Sequence, residues 1–150
     1  MIALRRATDA DRVAIARLHE ASIRALGPGA YTPEEVDSWA AGVAPSNYDL
    51  SQQVYVAVDD GEVIAFGQYD HGEILAVYVG PRHVRRGVGR LMMAKLEEVA
   101  HAEGATRLHL NAALNSVGFY AACGYATTIE TTYRTRGGLA IKCARMERDL

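Results

Sequence analysis

The chain has 150 residues, 49% of them apolar and 23% charged, with a formal net charge of −2. That is length enough for one domain with a buried core, and the slightly acidic balance excludes a global basic field for nucleic acid or an anionic membrane. Two cysteines, Cys123 and Cys143, make no disulfide framework, and neither an apolar leader nor a membrane-length stretch occurs, so free thiols in a cytoplasmic protein are expected.

In chain order, residues 2–7 read as a short strand. Thr8-Asp9-Ala10-Asp11 sets an acid after a hydroxyl at capping-box spacing, and the helix it opens carries Val13, Ile15, Ala16, Leu18, Ile23 and Leu26 at mostly helical intervals. Gly27-Pro28-Gly29 ends it. Thr32-Pro33-Glu34-Glu35 is a second start signal, with Thr32 as cap, Pro33 at the first helical position and Glu35 completing the box. That helix places Val36 and Trp39 on one side and stops near Gly42.

Strands follow. Val54, Val56 and Val58 alternate with Tyr55 and Ala57, Asp59-Asp60-Gly61 is a hairpin turn, residues 63–69 return, and His71-Gly72 turns into a third strand at residues 73–79. After a polar loop at 81–86 comes a helix with Val88, Leu91, Met92, Leu96 and Val99 along one face, ending at Gly104. Residues 106–110 then form a strand parallel to 73–79, because a helical crossover joins them. A short helix over 116–122 stops at Gly124, and residues 125–134 and 139–147 close as a hairpin over Gly137-Gly138. The order β-α-α-β-β-β-α-β-α-β-β is α/β: a mixed, mostly antiparallel sheet of about seven strands with about four helices.

The stretch Val84-Arg85-Arg86-Gly87-Val88-Gly89-Arg90, between a strand and a helix, is the most informative. Glycines there let backbone N–H groups approach an anion, and the unpaired N–H groups of a helix start favour phosphate. Arg85, Arg86 and Arg90 add positive charge. A Gly-x-Gly alone is also what any tight turn into a helix provides. A dinucleotide fingerprint fails because Met92 stands where its third glycine belongs, and a P-loop fails because Arg90-Leu91 replaces its Lys-Ser/Thr pair.

With Pro81, Gly87, Val88 and Gly89, the loop resembles the acetyl-CoA pyrophosphate loop of the GNAT superfamily of N-acetyltransferases, although Val84 stands where that family has Gln or Arg. The run Asn115-Ser116-Val117-Gly118-Phe119-Tyr120, followed by Gly124-Tyr125, resembles the same family's second signature. The resemblance spans roughly residues 2–150. It implies the GNAT fold, a single acetyltransferase domain at 1–150, acetyl-CoA as acyl donor, and direct transfer to a primary amine. It implies that the strand at 76–79 splays from its parallel neighbour and offers the backbone of Val77, Tyr78 and Val79 to the pantetheine arm. Val84, Arg85, Arg86, Gly87, Val88, Gly89 and Arg90 would hold the pyrophosphate, and Asn115 would lie beside the cofactor. Tyr120 would place its hydroxyl at the thioester sulfur, where a leaving thiolate needs a proton donor.

For the proton lost by the amine, Glu73 has the placement of the base in the histone-acetylating branch of that family, while its plain reading is a charge at a strand end. His71 would share its face if the strand ran that far, and a water chain is the third route. Acceptor contacts are expected from the first two helices and the last hairpin: Ser22, Ile23, Arg24, Tyr31, Trp39 and Tyr133, with Arg24, Arg134 and Arg136 as partners for a carboxylate or simply as solvated charges. Neither cysteine suits a covalent intermediate, and the five histidines form no metal-ligand spacing, so no metal is expected.

Two other readings differ in class. One is a non-catalytic acyl-CoA-binding regulatory domain of the same fold, against which Tyr120 counts. The other is a nucleic-acid module using Arg82, His83, Arg85, Arg86 and Arg90; the acidic total and the missing aromatic platform count against it. The acceptor, a small molecule or a protein, and the oligomeric state, a homodimer included, stay open at this level.

Overall fold

The computed structural model describes residues 1–150. Its centre is a seven-stranded sheet in the order β1-β2-β3-β4-β5-β7-β6. The strands are β1 Ile2–Arg6, β2 Gln53–Asp59, β3 Glu62–Asp70, β4 Glu73–Val79, β5 Arg107–Ala113, β6 Ala126–Arg134 and β7 Ala140–Asp149. The helices are α1 Arg12–Leu26, α2 Pro33–Ala40, α3 Val88–Ala102 and α4 Val117–Ala122. All neighbours pair antiparallel except β4 and β5, which meet in parallel only at Glu73↔His109 and Ile74↔Leu110.

Helices α1 and α2 cover one face of the sheet, and α3 and α4 the other. On the α3 face, Val88, Met92, Met93, Leu96 and Ala100 pack on Ile64, Ala65, Tyr69 and Leu108. Gly67 in β3 permits this approach, since a Cβ there would lie 2.7 Å from Met92 Cγ. On the opposite face, Ile15, Ala16 and Leu18 pack on Val54, Val56 and Phe66. The Thr32 box forms in full: the Thr32 hydroxyl accepts the Glu35 N–H at 3.2 Å, and Glu35 accepts the Thr32 N–H at 3.0 Å. At the start of α1, a short 3₁₀ turn intervenes, and Asp11 accepts the Thr8 N–H while taking two bonds from Arg5.

Three expected core positions move outward. Val13 is 49% exposed and Leu91 45%, and α3 turns Met93 inward in place of Leu91. Leu26 is exposed as well, for a reason that lies in the site. Strand β5 runs on to Ala113, beyond the expected end, because β7 pairs with it as far as Ala113↔Cys143.

Candidate active site

The short parallel pairing of β4 and β5 opens a wedge in the sheet beyond Ile74. Direction along β4 follows from one bond: Gly80 N–H donates to Ile64 C=O on β3 at 2.8 Å. Backbone groups alternate along a strand, so Val79 and Val77 direct N–H and C=O the other way, into the wedge, and Tyr78 pairs with β3. The alternation breaks at a β-bulge, where Gln68↔Ala76 is followed by Tyr69↔Ile74 and Leu75 is left over. The extra residue sends Ile74 to the α3 face with Val77 and Val79, while Ala76 and Tyr78 face α1.

A cavity of about 480 Å³ occupies the wedge. Val77, Tyr78, Val79, Val84, Arg85, Gly87, Val88, Gly89, Arg90, Asn115 and Tyr120 all line it, as do Ser22 and Ile23. At its rim the first bond of α3 is Leu91 N–H to Gly87 C=O at 3.1 Å, which leaves the N–H groups of Val88, Gly89 and Arg90 without helical partners. Arg85 and Gly87 both have positive φ, 64° and 78°, and that geometry curls the loop around its own N–H groups. Gly89 serves a different need: a Cβ there would meet the Phe119 ring at 2.9 Å. Three apolar side chains that stay more than a third exposed, Leu26, Leu75 and Val84, line this same cavity. Arg86 departs from the expectation. Its guanidinium is bound to Asp59 at 3.0 Å and to His83 at 3.1 Å, outside the cavity lining, and holds the Asp59 carboxyl below its usual range.

Tyr120 sits on α4 and lines the cavity, 8% exposed, and its hydroxyl makes no hydrogen bond within the protein. Burial pushes its phenol well above the ordinary value, so it holds its proton across the physiological range.

A second cavity, of about 360 Å³, opens on the α1–α2 side of the bulge. The two cavities share Trp39, Ile74, Leu75, Ala76, Tyr78, Asn111 and Ala113. Glu73 lines the second, half-exposed, with His109 Nε2 at 3.7 Å. Tyr31, Trp39 and Tyr133 line it too. Tyr31 is already committed: its hydroxyl donates to Lys142 C=O at 2.5 Å and accepts the Leu114 N–H at 2.9 Å. Besides Arg86, the candidates Arg24, His71 and Arg134 fall outside both cavities. Arg24 is tied to Asp37 at 2.8 Å on the outer side of α1, with Glu20 at 3.7 Å. His71 occupies the β3–β4 turn at φ 41°, 92% exposed and bound to Asp70, because the strand begins only at Glu73.

The residues that pattern reading passed over here are His19, Tyr48 and Phe66, whereas Arg136, one of the three arginines set out as carboxylate partners, also lines this cavity. His19 Nδ1 pairs with the Tyr48 hydroxyl at 2.9 Å, and its ring lies 4.3 Å from that of Tyr78. Burial, and then the Arg136 charge, push the imidazole down to about 4, so it is neutral near pH 7. The Tyr48 phenol is pushed up to about 12 by burial. No group of three or more His, Cys, Asp or Glu side chains is arranged to hold a metal ion. No helix is long and apolar enough to cross a membrane.

The acetyltransferase (GNAT) family model matches residues 15–125. Among solved structures, a GCN5-related N-acetyltransferase from Rhodopseudomonas palustris is 29% identical, with 99% of this chain and 95% of that one covered at a TM-score of 0.93. The PaiA N-acetyltransferase of Thermoplasma acidophilum, in complex with coenzyme A, is 20% identical over 100% and 99% of the two chains, at a TM-score of 0.72. YncA from Salmonella typhimurium, with its cofactor acetyl-CoA, is 19% identical over 100% and 94%, at 0.73. No curated protein matches the chain by sequence.

Proposed function

This chain belongs to the acetyltransferase (GNAT) family, and from that premise we propose that it is a single-domain enzyme that moves an acetyl group from acetyl-CoA directly onto a primary amine. The observation that carries the reading is the coincidence, in one wedge, of unpaired helix-start N–H groups at Val88, Gly89 and Arg90 with the unpartnered hydroxyl of Tyr120. The first group fits a pyrophosphate. The second fits a leaving thiolate. The CoA and acetyl-CoA held by the PaiA and YncA structures are consistent with that donor.

Acetyl-CoA supplies an activated thioester. The chain's residues bind and orient it. The loop from Val84 to Arg90 receives the pyrophosphate on backbone N–H groups, with Arg85 and Arg90 adding charge. Val77 and Val79 offer N–H and C=O groups to the amides of the pantetheine arm, and Leu26, Leu75 and Val84 take its apolar parts. Asn115 lies alongside. These contacts aim the thioester at the bulge, where the two cavities join. The acceptor amine enters from the second cavity, past Trp39 and Tyr133. Glu73 takes the proton that the amine must lose, and Tyr120 gives its proton to the departing sulfur, so the two transfers run on opposite sides of the new C–N bond. Both substrates are present together, and no residue is acylated.

The test is a screen of amine acceptors with acetyl-CoA, following free thiol. Amine-dependent thiol release with a matching acetylated product supports the reading. CoA binding without release on any amine would return the chain to a binding role.

A further inference from the structure

The second cavity contains one cation that nothing in the protein neutralises. Most arginines here are engaged: Arg5 with Asp11, Arg12 with Asp9, Arg24 with Asp37, Arg82 with Glu62, Arg86 with Asp59, Arg107 with Asp149, Arg145 with Glu147 and Arg148 with Glu97. Arg134, another candidate, bonds the Gly138 carbonyl at 2.8 Å. Arg85, Arg90 and Arg136 have no such partner, and all three line a cavity. The first two sit at the pyrophosphate loop. Arg136 sits at the tip of the β6–β7 hairpin, over the second cavity.

Its position is built rather than incidental. The residue before it, Thr135, is 4% exposed and its hydroxyl meets Ser38 Oγ of α2 at 2.5 Å. The residue after it, Gly137, donates its N–H to Ser38 C=O at 3.2 Å, and a Cβ at Gly137 would lie 2.7 Å from that same oxygen. Both neighbours of Arg136 are therefore fastened to one residue of α2. Its stem then lies across Gly42, where a Cβ would come within 3.2 Å of Arg136 Cβ and 3.3 Å of its Cδ. Arg136 thereby lines the second cavity while staying open to solvent, along with His19 and Tyr48, the two groups its charge acts on.

We propose that Arg136 binds an anionic group on the acceptor, and that the acceptor is a small amine carrying a carboxylate, of which a free amino acid is the simplest member. This rests on the acetyl-transfer reading of the wedge. A single planar guanidinium matches one carboxylate in a two-pronged contact. The same cavity holds the Glu73 carboxylate, which opposes a dianion such as a phosphate and favours the ammonium end of a zwitterion. Aromatic walls from Phe66, Tyr48 and Tyr78 suit the apolar middle of such a molecule, and the cavity size is that of small-molecule sites. A polyamine would meet a fixed positive charge instead.

Trp39 is the only tryptophan and lines both cavities, so its fluorescence reports acceptor binding without turnover. With CoA saturating, the protein is titrated with leucine, methionine, histidine and glutamate, and with the primary amide of each. At least one acid should bind about tenfold or more tightly than its amide, the gap expected of a paired guanidinium. Arg136→Gln should erase that gap and leave CoA affinity unchanged; Arg136→Lys should keep part of it. Equal binding of acids and amides, a gap that survives in Arg136→Gln, or no acid moving the Trp39 signal would overturn the assignment, and the wild-type comparison alone suffices if the variants do not fold. Thiol release separates the two readings. Acids that bind without releasing CoA defeat acetyl transfer and leave Arg136 in place, whereas carboxylate-free amines turned over as fast as acids defeat Arg136 and leave acetyl transfer in place.

Discussion

The two cavities that meet at the Leu75 bulge are made from different parts of the chain. The wedge on the α3 side is made largely of backbone: a splayed strand, a helix start, two glycines. The cavity on the α1–α2 side is made of side chains from α1, α2, β3, β4 and the last hairpin. A backbone site is tied to the fold itself and tolerates replacement of most side chains around it, while a side-chain site can be rebuilt without disturbing the sheet. The first suits a donor shared by many enzymes. The second suits an acceptor peculiar to one.

The sharpest way to test that division is at the join. Tyr120→Phe keeps the ring that packs α4 against Tyr125 and removes only the unpartnered hydroxyl. The expectation is a fall in kcat of about 10²–10⁴-fold with acetyl-CoA affinity almost unchanged, measured by thiol release and by calorimetric titration. A loss of only a few-fold would reduce the hydroxyl to a positioning contact.

The next effect is on the wedge alone. Gly87 has φ 78° and open space where a Cβ would stand, so substitution there meets no atom, only backbone strain and whatever the ligand brings. Asparagine and aspartate both tolerate that conformation, and they differ in charge. A carboxylate about 4 Å from a phosphate is opposed by roughly 4 kcal/mol at an effective dielectric of 20, before screening. Gly87→Asp should therefore weaken CoA on the order of 10²-fold, and Gly87→Asn far less. Equal losses in the two variants would show that backbone strain, not charge, sets the affinity.

This contrast also explains what the sequence revealed. The wedge was legible because its parts are consecutive: strand, Pro81, Gly87, Gly89 and a helix lie within one segment, and Tyr120 follows soon after in the next helix. The run β2-β3-β4-β5 followed from the turns at Gly61 and Gly72 and from the helical crossover, whereas the places of β1 beside β2 and of β7 between β5 and β6 are marked by no local signal. The cavity on the α1–α2 side was legible only in part: Tyr31, Trp39, Glu73, Tyr133 and Arg136 were among the candidates and line it, but His19, Tyr48 and Phe66 come from separate segments and nothing local marks them. Arg24 and Arg136 look alike in the sequence; only the fold puts Asp37 against the first and leaves the second bare. The bulge at Leu75 hides from any two-residue period, and it decides on which face the residues before it fall. Likewise Leu91 and Met93 are both apolar on a helix, and the tilt of α3 on the sheet selects Met93.

On the acceptor side, the hairpin anchor gives a smaller and separable effect. Ser38→Ala removes the partner of the buried Thr135 hydroxyl and one of two acceptors for Leu139 N–H. Thr135 Oγ1 still accepts the Leu139 N–H at 3.2 Å, so the loss is that of a buried hydrogen bond, about 0.5–1.5 kcal/mol. The variant should lose that much stability in urea titration and raise the acceptor KM several-fold, while its affinity for CoA stays put. A matching change in CoA binding would mean that the two cavities are not independent.

The last effect expected is a dependence of stability on pH, and it comes from His19. The imidazole is buried among Phe66, Tyr48 and Tyr78, with Arg136 the charged group facing it, and its protonation falls at about pH 4 in the folded protein. In the unfolded chain an ordinary histidine protonates near 6.5. Between those two values the unfolded state carries a proton that the folded state refuses. Stability linked to His19 is therefore complete above about pH 6.5 and is lost as the pH falls towards 4. From pH 7 to pH 5 the loss should be about 1–2 kcal/mol, given that one pKa unit is worth 1.36 kcal/mol. Urea unfolding at the two pH values measures it, and His19→Gln should flatten that part of the dependence. Arg136→Gln should flatten it partly, because removing the cation lets the imidazole protonate more easily while burial still resists. A pH dependence untouched in His19→Gln would place the titration elsewhere and deny that His19 is held neutral. If the dependence disappears in His19→Gln yet is unchanged in Arg136→Gln, burial alone sets it, and the guanidinium stands farther from the imidazole than the acceptor site requires.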